Sequence, residues 1–468
     1  MKSLFKKLNE SKIFCDLNPQ EFAWVLYDVG NSAYTMLSCS LIPIWFKNLS
    51  CLYSVAEETK IIEKAGVDAV QGEQMIRQAA GALGLLSQNQ ATSYYAKALA
   101  VVTVIIALLG PICGALADHK DTRKIFFTTT VAAGVVGCIL NGFTPSWIAF
   151  LIVYVLSKIF YQASLTFYDS MLNDVTTDER ADAVSSYGYA WGYIGSCIPF
   201  IFALIAYVLG PDMLGVISDR LSQIIGFTVT GVWWLLVTIP LIKNYKQINY
   251  VAETKGDIKK AFAQLGNTFK RIYNDDKKVF YFLISFFLFI DGVGTIIDHC
   301  INIGTALGLS TVGQVVFLLL TQVVAFAGSL VFAKLSKKYN TVTLLLVCIV
   351  GYFFVCLYAL VLKELWQFAV MAFGVGCFQG SIQSLSRSYY SKIIPDANAG
   401  EYFGIYDIFS KGASFLGSVV IATVMDLPGG NINIAVGSLA VFFALGFVFL
   451  KIADKQEQSE ISKIDIQE

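Results

Sequence analysis

The chain alternates long apolar stretches with short polar segments from one end to the other. A bilayer core about 30 Å thick requires about 20 apolar residues in a helix, and each stretch reaches that length. Backbone groups inside lipid must be hydrogen-bonded within the segment, and these stretches are too long for barrel strands, so we predict an all-α integral membrane protein. The twelve predicted spans are 21–47, 94–117, 125–143, 146–172, 184–209, 221–243, 279–304, 311–334, 341–362, 365–391, 400–425 and 431–452.

The polar segments divide the chain into domains. We expect two six-helix bundles, 1–243 and 279–452, joined by a basic cytoplasmic connector, 244–278, and followed by a cytoplasmic tail, 453–468. The halves resemble each other weakly, since Asp28 in the first span and Asp291 in the seventh are each followed closely by glycine. Such internal symmetry is typical of transporters built from repeats, with a site near the midplane.

Segment 48–92 interrupts this pattern because it is too polar to cross a bilayer. The helical spacing of apolar residues from Glu57 to Ala82 predicts one helix that caps the outer face or lies in the interface. A solvated insertion without a role is the alternative.

Composition and charge indicate the solvent and the orientation. The chain is 56% hydrophobic and 15% charged, with mean hydropathy +0.62, and its net charge of zero gives no basic surplus for nucleic acid. With both termini cytoplasmic, the cytoplasmic segments hold about 25 of the 34 Lys and Arg residues, as the positive-inside rule expects. We expect a multi-pass protein of the cell membrane if bacterial, or of a vacuolar or other internal membrane if eukaryotic.

Ionisable residues within the spans are the main functional signal. Each costs about 2.5–3.5 kcal/mol at the bilayer centre, so it must face protein or water. Together with amides and hydroxyls they follow single helix faces, which predicts a hydrated cavity between the bundles. The candidate substrate- or cation-binding residues are Asp28, Asn31, Ser32, Thr35, Lys158, Gln162, Asp291, Thr295, Asp298, Asn302, Gln379, Gln383, Asp407 and Lys411.

Structural roles are alternatives for several of these residues. Asp28 could bond to a neighbouring helix, and Asp407 and Lys411, four residues apart, could neutralise each other. Lys158 could pair with Asp28 or with Asp169.

The loop after the second span reads Gly114-Ala-Leu-Ala-Asp118-His-Lys-Asp-Thr-Arg123-Lys124. It resembles the G-x-L-A-D-R-x-G-R-[RK] signature of major facilitators, with His119 in place of Arg and Asp121 in place of Gly. The resemblance implies a conformational latch, in which Asp118 caps the positive N-terminal end of the eleventh span near Gly400.

Asp169 and Arg387 lie near cytoplasmic span ends, where snorkelling or gate pairing would satisfy them. The predicted gating residues are Gly114, Asp118, Arg123, Asp169, Arg387 and Glu401.

Longer runs resemble the vacuole-effluxer branch of that superfamily, the autophagy-related-22-like permeases. They include Trp24-Val-Leu-Tyr-Asp-Val-Gly-Asn-Ser-Ala-Tyr34 in the first half and Gln379-Gly-Ser-Ile-Gln-Ser-Leu-Ser-Arg387 in the second. The resemblance covers nearly the whole chain and implies a major facilitator fold and transport by alternating access. Gly30 stands where Ala is frequent, and Asp407 where a neutral residue, often Asn, is frequent. Fungal relatives are associated with the release of amino acids from the vacuole.

These observations predict a secondary active transporter for a small polar solute, amino acids first, with a proton as the candidate coupling ion. Carboxylates would bind the ammonium group of the solute, and Lys411 or Lys158 its carboxylate. An exporter of drugs or lipids with the same fold and a receptor without transport are the alternatives. An enzyme is not expected, since the only histidines are His119 and His299.

We expect no cofactor, no metal site and no nucleic-acid partner. The sequence has no G-x-x-x-x-G-K-[ST] loop, which argues against ATP-driven pumping by this chain. The predicted partners are the small-molecule substrate, a co-transported proton and the lipid bilayer, and the chain is expected to function as a monomer.

Overall fold

The computed structural model describes residues 17–211, 213–251, 258–306, 311–411, 415–426 and 431–465, and this part of the chain is almost entirely helical. The first half contains α1 (Pro19–Cys39), α2 (Leu41–Ser50), α3 (Val55–Ala65), α4 (Ala69–Ala82), α5 (Gln88–Ala117), α6 (Thr122–Asn141), α7 (Trp147–Ser170), α8 (Leu172–Val175), α9 (Asp178–Val208) and α10 (Asp219–Asn244). The connector contributes α11 (Ile258–Asn274). The second half contains α12 (Lys277–Ala306), α13 (Thr311–Leu335), α14 (Thr341–Ala359), α15 (Leu365–Ile393), α16 (Ala399–Lys411), α17 (Phe415–Asp426), α18 (Ile432–Ser438) and α19 (Ala440–Asp465).

Within the described ranges, ten helical segments are long and apolar enough to cross a membrane. They are α5, α6, α7, α9, α10, α12, α13, α14, α15 and the combined segment Ile432–Gln456. Of the other two predicted spans, 21–47 corresponds to α1 and α2, which meet at Ser40, and the described residues of 400–425 lie in α16 and α17. The count of twelve spans therefore stays a prediction.

Each half supplies most of one buried apolar cluster, and the first-half cluster also includes Ala333 of α13. In the first half, Trp24, Trp45 and Trp234 lie within one cluster of buried side chains. In the second half, the stacked rings of Tyr352 and Phe443, 5.2 Å apart, belong to another.

Glycine lets α5 and α16 approach closely across the halves. A Cβ atom on Gly400 would lie 2.5 Å from the carbonyl oxygen of Gly114 and 2.7 Å from Oδ1 of Asp118. One turn further along, a Cβ on Gly404 would overlap Pro111. Small residues four apart are a common means of close helix packing in membranes.

The expectation of one helix from Glu57 to Ala82 was wrong, because the segment forms two helices, α3 and α4. Gly66 ends α3 in the left-handed conformation, with φ 62°, and Asp68 begins α4 by accepting a hydrogen bond from Gln71 N. The apolar spacing continues across this turn, so the pattern alone did not show it.

Candidate transport site

A cavity of about 340 Å³ lies between the two halves of the chain. Its first-half wall comes from α5, α7 and α9, and its second-half wall from α12, α15 and α16. The polar and charged lining side chains are Thr103, Gln162, Asp169, Tyr189, Gln383, Arg387, Tyr406, Asp407 and Ser410. The apolar lining is Leu165 with an α12 stripe of Phe286, Ile290, Val293 and Ile297, next to Gly294.

Arg387 of α15 lies at one end of this cavity and binds two carboxylates of the first half. Its Nη2 is 3.1 Å from Oδ2 of Asp28, and its Nη1 is 3.0 Å from Oδ1 of Asp169. Its Nε donates to Ser185 Oγ over 3.0 Å. The guanidinium also lies over the rings of Trp24 and Tyr189, at 4.5 and 4.6 Å from their centroids. These contacts join α1, α7 and α9 to the second half.

Asp407 of α16 also links the halves, since its Oδ2 accepts a hydrogen bond from Thr166 Oγ1 of α7. Thr166 is one turn before Asp169. Asp169 and Asp407 therefore line the same cavity from opposite halves of the chain.

The other candidates of α1 pack within the first half. Asn31 donates to Tyr27 O over 3.0 Å and to Asp28 Oδ1 over 3.3 Å. Ser32 faces α9, where a Cβ on Gly192 would lie 2.8 Å from its Oγ. Thr35 shares a hydrogen bond with the Tyr161 hydroxyl. Asn31 therefore supports Asp28, and none of the three residues is among the side chains that line the cavity.

Lys158 lies over two aromatic rings, with Nζ 5.4 Å from the Tyr34 centroid and 5.1 Å from that of Tyr161. Arg387, rather than Lys158, is the cation that contacts Asp28 and Asp169. Of the two amide candidates on α15, Gln383 lines the cavity and Gln379 lies beside Tyr193.

Asp291 is fully buried and caps α17. Its Oδ2 accepts from Leu416 N over 3.0 Å, and its Oδ1 accepts from Gly417 N over 2.7 Å and from Thr295 Oγ1 over 3.3 Å. The structure thus places Asp291 and Thr295 against a helix start, and neither lines the cavity. The side chains of three further candidates lie outside the described residues: Asp298, Asn302 and Lys411.

The predicted contact of Asp118 with the N-terminal end of α16 is present, and its role as a latch stays a prediction. Asp118 Oδ1 accepts from Gly400 N over 2.7 Å and Oδ2 accepts from Glu401 N over 2.9 Å, while Arg123 Nη2 is 2.6 Å from Oδ1. Burial raises the pKa of Asp118 to about 6, although Arg123 and the two peptide N–H groups oppose the shift. The carboxylate is therefore mostly ionised at neutral pH and binds the positive N-terminal end of α16. Glu401 itself is buried beside this contact.

Asp121, where the signature has glycine, adopts φ 60° and ψ 6°. This left-handed conformation is easy for glycine and tolerated by Asp better than by most residues. The backbone geometry of the latch loop therefore explains the residue type that the signature prefers.

Residues 245–251, which we name the strap, fasten the start of the connector to the latch loop. Asp174 Oδ1 accepts from Ile248 N over 3.1 Å and Asn249 N over 2.8 Å, and its Oδ2 lies 2.7 Å from Arg123 Nη1. Val251 N donates to Asp118 O over 2.9 Å. We call this face of the molecule the connector side.

A further set of contacts on the connector side was not predicted. Asp182 of α9 accepts from Thr341 Oγ1 and from Ser388 Oγ, each over 2.6 Å, and lies 2.8 Å from Lys392 Nζ. Ser186 Oγ lies 3.1 Å from Ser384 Oγ. The spacing of small polar residues was the available signal, since positions 182, 185 and 186 share one face of α9 and positions 381, 384, 388 and 391 share one face of α15.

Together the Arg387, Asp118 and Asp182 contacts close the connector side between the halves. We name them the connector-side gate. They are hydrogen bonds and ion pairs between side chains and backbone groups of the two halves. The described residues hold no cluster of three or more His, Cys, Asp or Glu side chains that could bind a metal ion.

Comparisons with known proteins give consistent matches. The family model described as "Vacuole effluxer Atg22 like" matches residues 19–179 and 173–460. An "uncharacterized MFS-type transporter", YxiO of Bacillus subtilis, is 35% identical over 447 residues, which cover 95% of this chain and 97% of YxiO. Autophagy-related protein 22 of Botryotinia fuckeliana is 24% identical over 332 residues, 63% of this chain and 55% of that protein.

Among solved structures, the E. coli major facilitator superfamily transporter FucP in its outward conformation is similar at TM-score 0.64 and 14% identity. The match covers 94% of this chain and 99% of that chain. At this level of identity the likeness shows the fold alone.

Proposed function

Because this chain belongs to the vacuole effluxer Atg22-like family of MFS-type transporters, we propose that it is a secondary transporter that moves a small polar solute by alternating access. Amino acids are the first candidate solutes. The observation that carries the proposal is a polar cavity between two separately packed halves, next to a gate made of reversible polar contacts.

Alternating access follows from the arrangement of the gate. Residues from α1, α7 and α9 meet α15, and the loop after α5 meets α16, all on the connector side. With this side closed, solute reaches the cavity from the opposite side. Loss of the gate contacts would let the halves separate on the connector side and release the solute there.

We assign the connector side to the cytoplasm. The connector and the loops on this side carry most of the Lys and Arg residues between the spans, which supports this orientation. Both termini would then be cytoplasmic.

The cavity fits a small solute with charged groups. Its volume of about 340 Å³ suits an amino acid with some water, and its lining offers carboxylates, amides and tyrosine hydroxyls. The apolar stripe on α12 is the observation that favours a second candidate, an exporter of amphipathic drugs or lipids.

Flux measured in proteoliposomes separates the two candidates. We expect labelled amino acids to enter or leave vesicles that contain the protein, and an imposed pH gradient to drive accumulation if a proton is coupled. Vesicles without protein are the control. Flux of lipophilic cations with none of amino acids would favour the exporter, and flux of neither class would contradict the transporter proposal.

A further inference from the structure

The charges around Arg387 do not balance within the gate. One guanidinium contacts two carboxylates, those of Asp28 and Asp169, and the pairs are 3.1 and 3.0 Å long. One cation neutralises one carboxylate, so with both carboxylates ionised this group carries one surplus negative charge inside the protein. A surplus charge in a low-dielectric site attracts a second cation.

Of the two carboxylates, Asp169 is the one that a ligand in the cavity can reach. Asp28 is enclosed, since Asn31 donates to its Oδ1, Arg387 contacts its Oδ2, and Gly188 of α9 lies against it. Asp169 lines the cavity, and among the described residues Arg387 is the only hydrogen-bond partner of its carboxylate. The side chain of Asp169 is 16% exposed, against 9% for Asp28.

A second carboxylate faces Asp169 from the other half of the chain. Asp407 lines the cavity, and its bond from Thr166 holds it against the turn of α7 that precedes Asp169. Lys411 follows Asp407 by one turn, and its side chain lies outside the described residues. Lys158 lies three turns before Asp169 on α7, over Tyr34 and Tyr161.

Neutral polar groups complete the lining, and one of them lacks a partner. The Tyr406 ring stacks on Phe286 at 4.2 Å and on Tyr390 at 4.9 Å, so the side chain is 94% buried, with 6% exposed. It lines the cavity, and no described residue hydrogen-bonds its hydroxyl. The hydroxyl is reached from the cavity, so it can hydrogen-bond a ligand or water there. Tyr189 and Gln383 add a second hydroxyl and an amide.

We propose that Asp169 and Asp407, with the Tyr406 hydroxyl, form a binding site for a monovalent cationic group in the cavity. This inference rests on the proposed transport function and names one ligand class for its cavity. The cationic group is either the ammonium of the transported solute or a coupling ion such as Na⁺ or H⁺. When it binds, it competes with Arg387 Nη1 for Asp169 while Arg387 keeps its contact with Asp28. The cation thereby weakens one of the bonds that close the gate and couples its own binding to opening.

The test uses the purified full-length protein in nanodiscs and measures ligand binding by calorimetry. Benzylammonium is the organic probe and benzyl alcohol its neutral counterpart. Na⁺ replacing choline, and a pH series, probe the coupling ion. We expect wild-type protein to bind benzylammonium or an inorganic cation and not benzyl alcohol. Asp169→Asn and Asp407→Asn should each weaken cation binding by about tenfold or more, because each removes a charged partner.

Two further variants keep this test decisive. Asp169→Glu retains the charge and should retain binding even where Asp169→Asn fails to fold. Glu63→Gln removes an exposed charge on α3, far from the cavity, and should bind as wild type does. Binding of benzylammonium alone assigns the site to the solute, and binding of Na⁺ or H⁺ assigns it to the coupling ion.

The proposal of this cation site is contradicted if the wild-type protein binds no cation, or if both Asn variants bind the cation as tightly as wild type does. Failure of the transport proposal is a separate outcome, namely cation binding without flux of any solute in proteoliposomes.

Discussion

Gly188 lies against the carboxylate of Asp28, and this contact illustrates how tightly single residues hold the gate. A Cβ atom at this position would overlap Asp28 Oδ2 and would lie 3.2 Å from both Arg387 Nη2 and Trp24 Cζ3. Any side chain at 188 would therefore push Asp28 away from Arg387. The glycine is required by packing and not by its backbone conformation, since it lies within the regular helix α9.

Gly188→Ala should lower both stability and flux. An added methyl group in a packed interior costs about 1–3 kcal/mol, which would appear as a lower melting temperature in detergent. The matched control is Gly81→Ala on α4, where a Cβ would meet no atom within 4 Å. This control should melt at the wild-type temperature or slightly above, because Ala favours helix over Gly by about 0.5–1 kcal/mol. If Gly188→Ala melts and transports as wild type does, a methyl group fits beside Asp28 and the tight packing argued for this position is wrong.

At the same scale, the sequence identified Asp28, Asp169 and Arg387 one by one, because ionisable residues in spans are costly. It did not predict that Arg387 binds both carboxylates. Helical spacing identifies the polar face of one helix and not its partner on another, 218 residues away for Asp169. For the same reason Asp291 was grouped with the cavity, whereas the structure places it at the start of α17.

Among the helices, α17 is joined to α12 through Asp291, whose carboxylate accepts hydrogen bonds from Leu416 N and Gly417 N. A buried carboxylate that accepts two backbone N–H bonds holds the donating segment in place. We infer that the role of Asp291 is to position α17. The contacts favour this role over the predicted one in ligand binding.

Substitutions at Asp291 distinguish these roles. Asn retains one oxygen that can accept from Gly417 N, so Asp291→Asn should fold and keep most of the flux. Asp291→Ala loses both acceptors and should lower stability by about 0.5–2 kcal/mol, measured as a fall in melting temperature. A folded Asn variant without flux would instead place Asp291 in the transport mechanism.

The latch between α5 and α16 gives a second element-scale prediction. Asp118→Asn removes the charge that binds Arg123 and the N-terminal end of α16, and charge-assisted bonds contribute about 1.5–3 kcal/mol. Initial transport rates should fall by about tenfold or more, while equilibrium solute affinity stays close to that of wild type, because Asp118 does not line the cavity. A large loss of affinity would indicate a direct site.

The sequence predicted where helices lie better than where they break. Apolar length located the spans, but apolar composition continues across Ser40, where α1 gives way to α2. The contact of α17 with Asp291 joins residues 126 positions apart. A contact with so distant a residue leaves no local pattern.

For the whole molecule, two apolar clusters, each mostly from one half, and the polar contacts between the halves support the proposal that the halves move relative to each other. The two bundles and their connector are predictions from the distribution of apolar and basic residues. The contacts that close the connector side could not be predicted in this way, because both conformations of a transporter use the same helices and differ only in which contacts form.

The most direct test of alternating access fixes the gate shut. Ser186 of α9 and Ser384 of α15 have hydroxyl oxygens 3.1 Å apart, so cysteines at both positions are close enough for a disulfide in the closed state. Oxidation of the Ser186→Cys, Ser384→Cys protein should reduce flux to the level of empty vesicles, and a reductant should restore it. Each single-cysteine variant, treated identically, should keep its flux and so controls for the native cysteines. Undiminished flux through the cross-linked protein would contradict the account, because the halves would then not need to separate on the connector side.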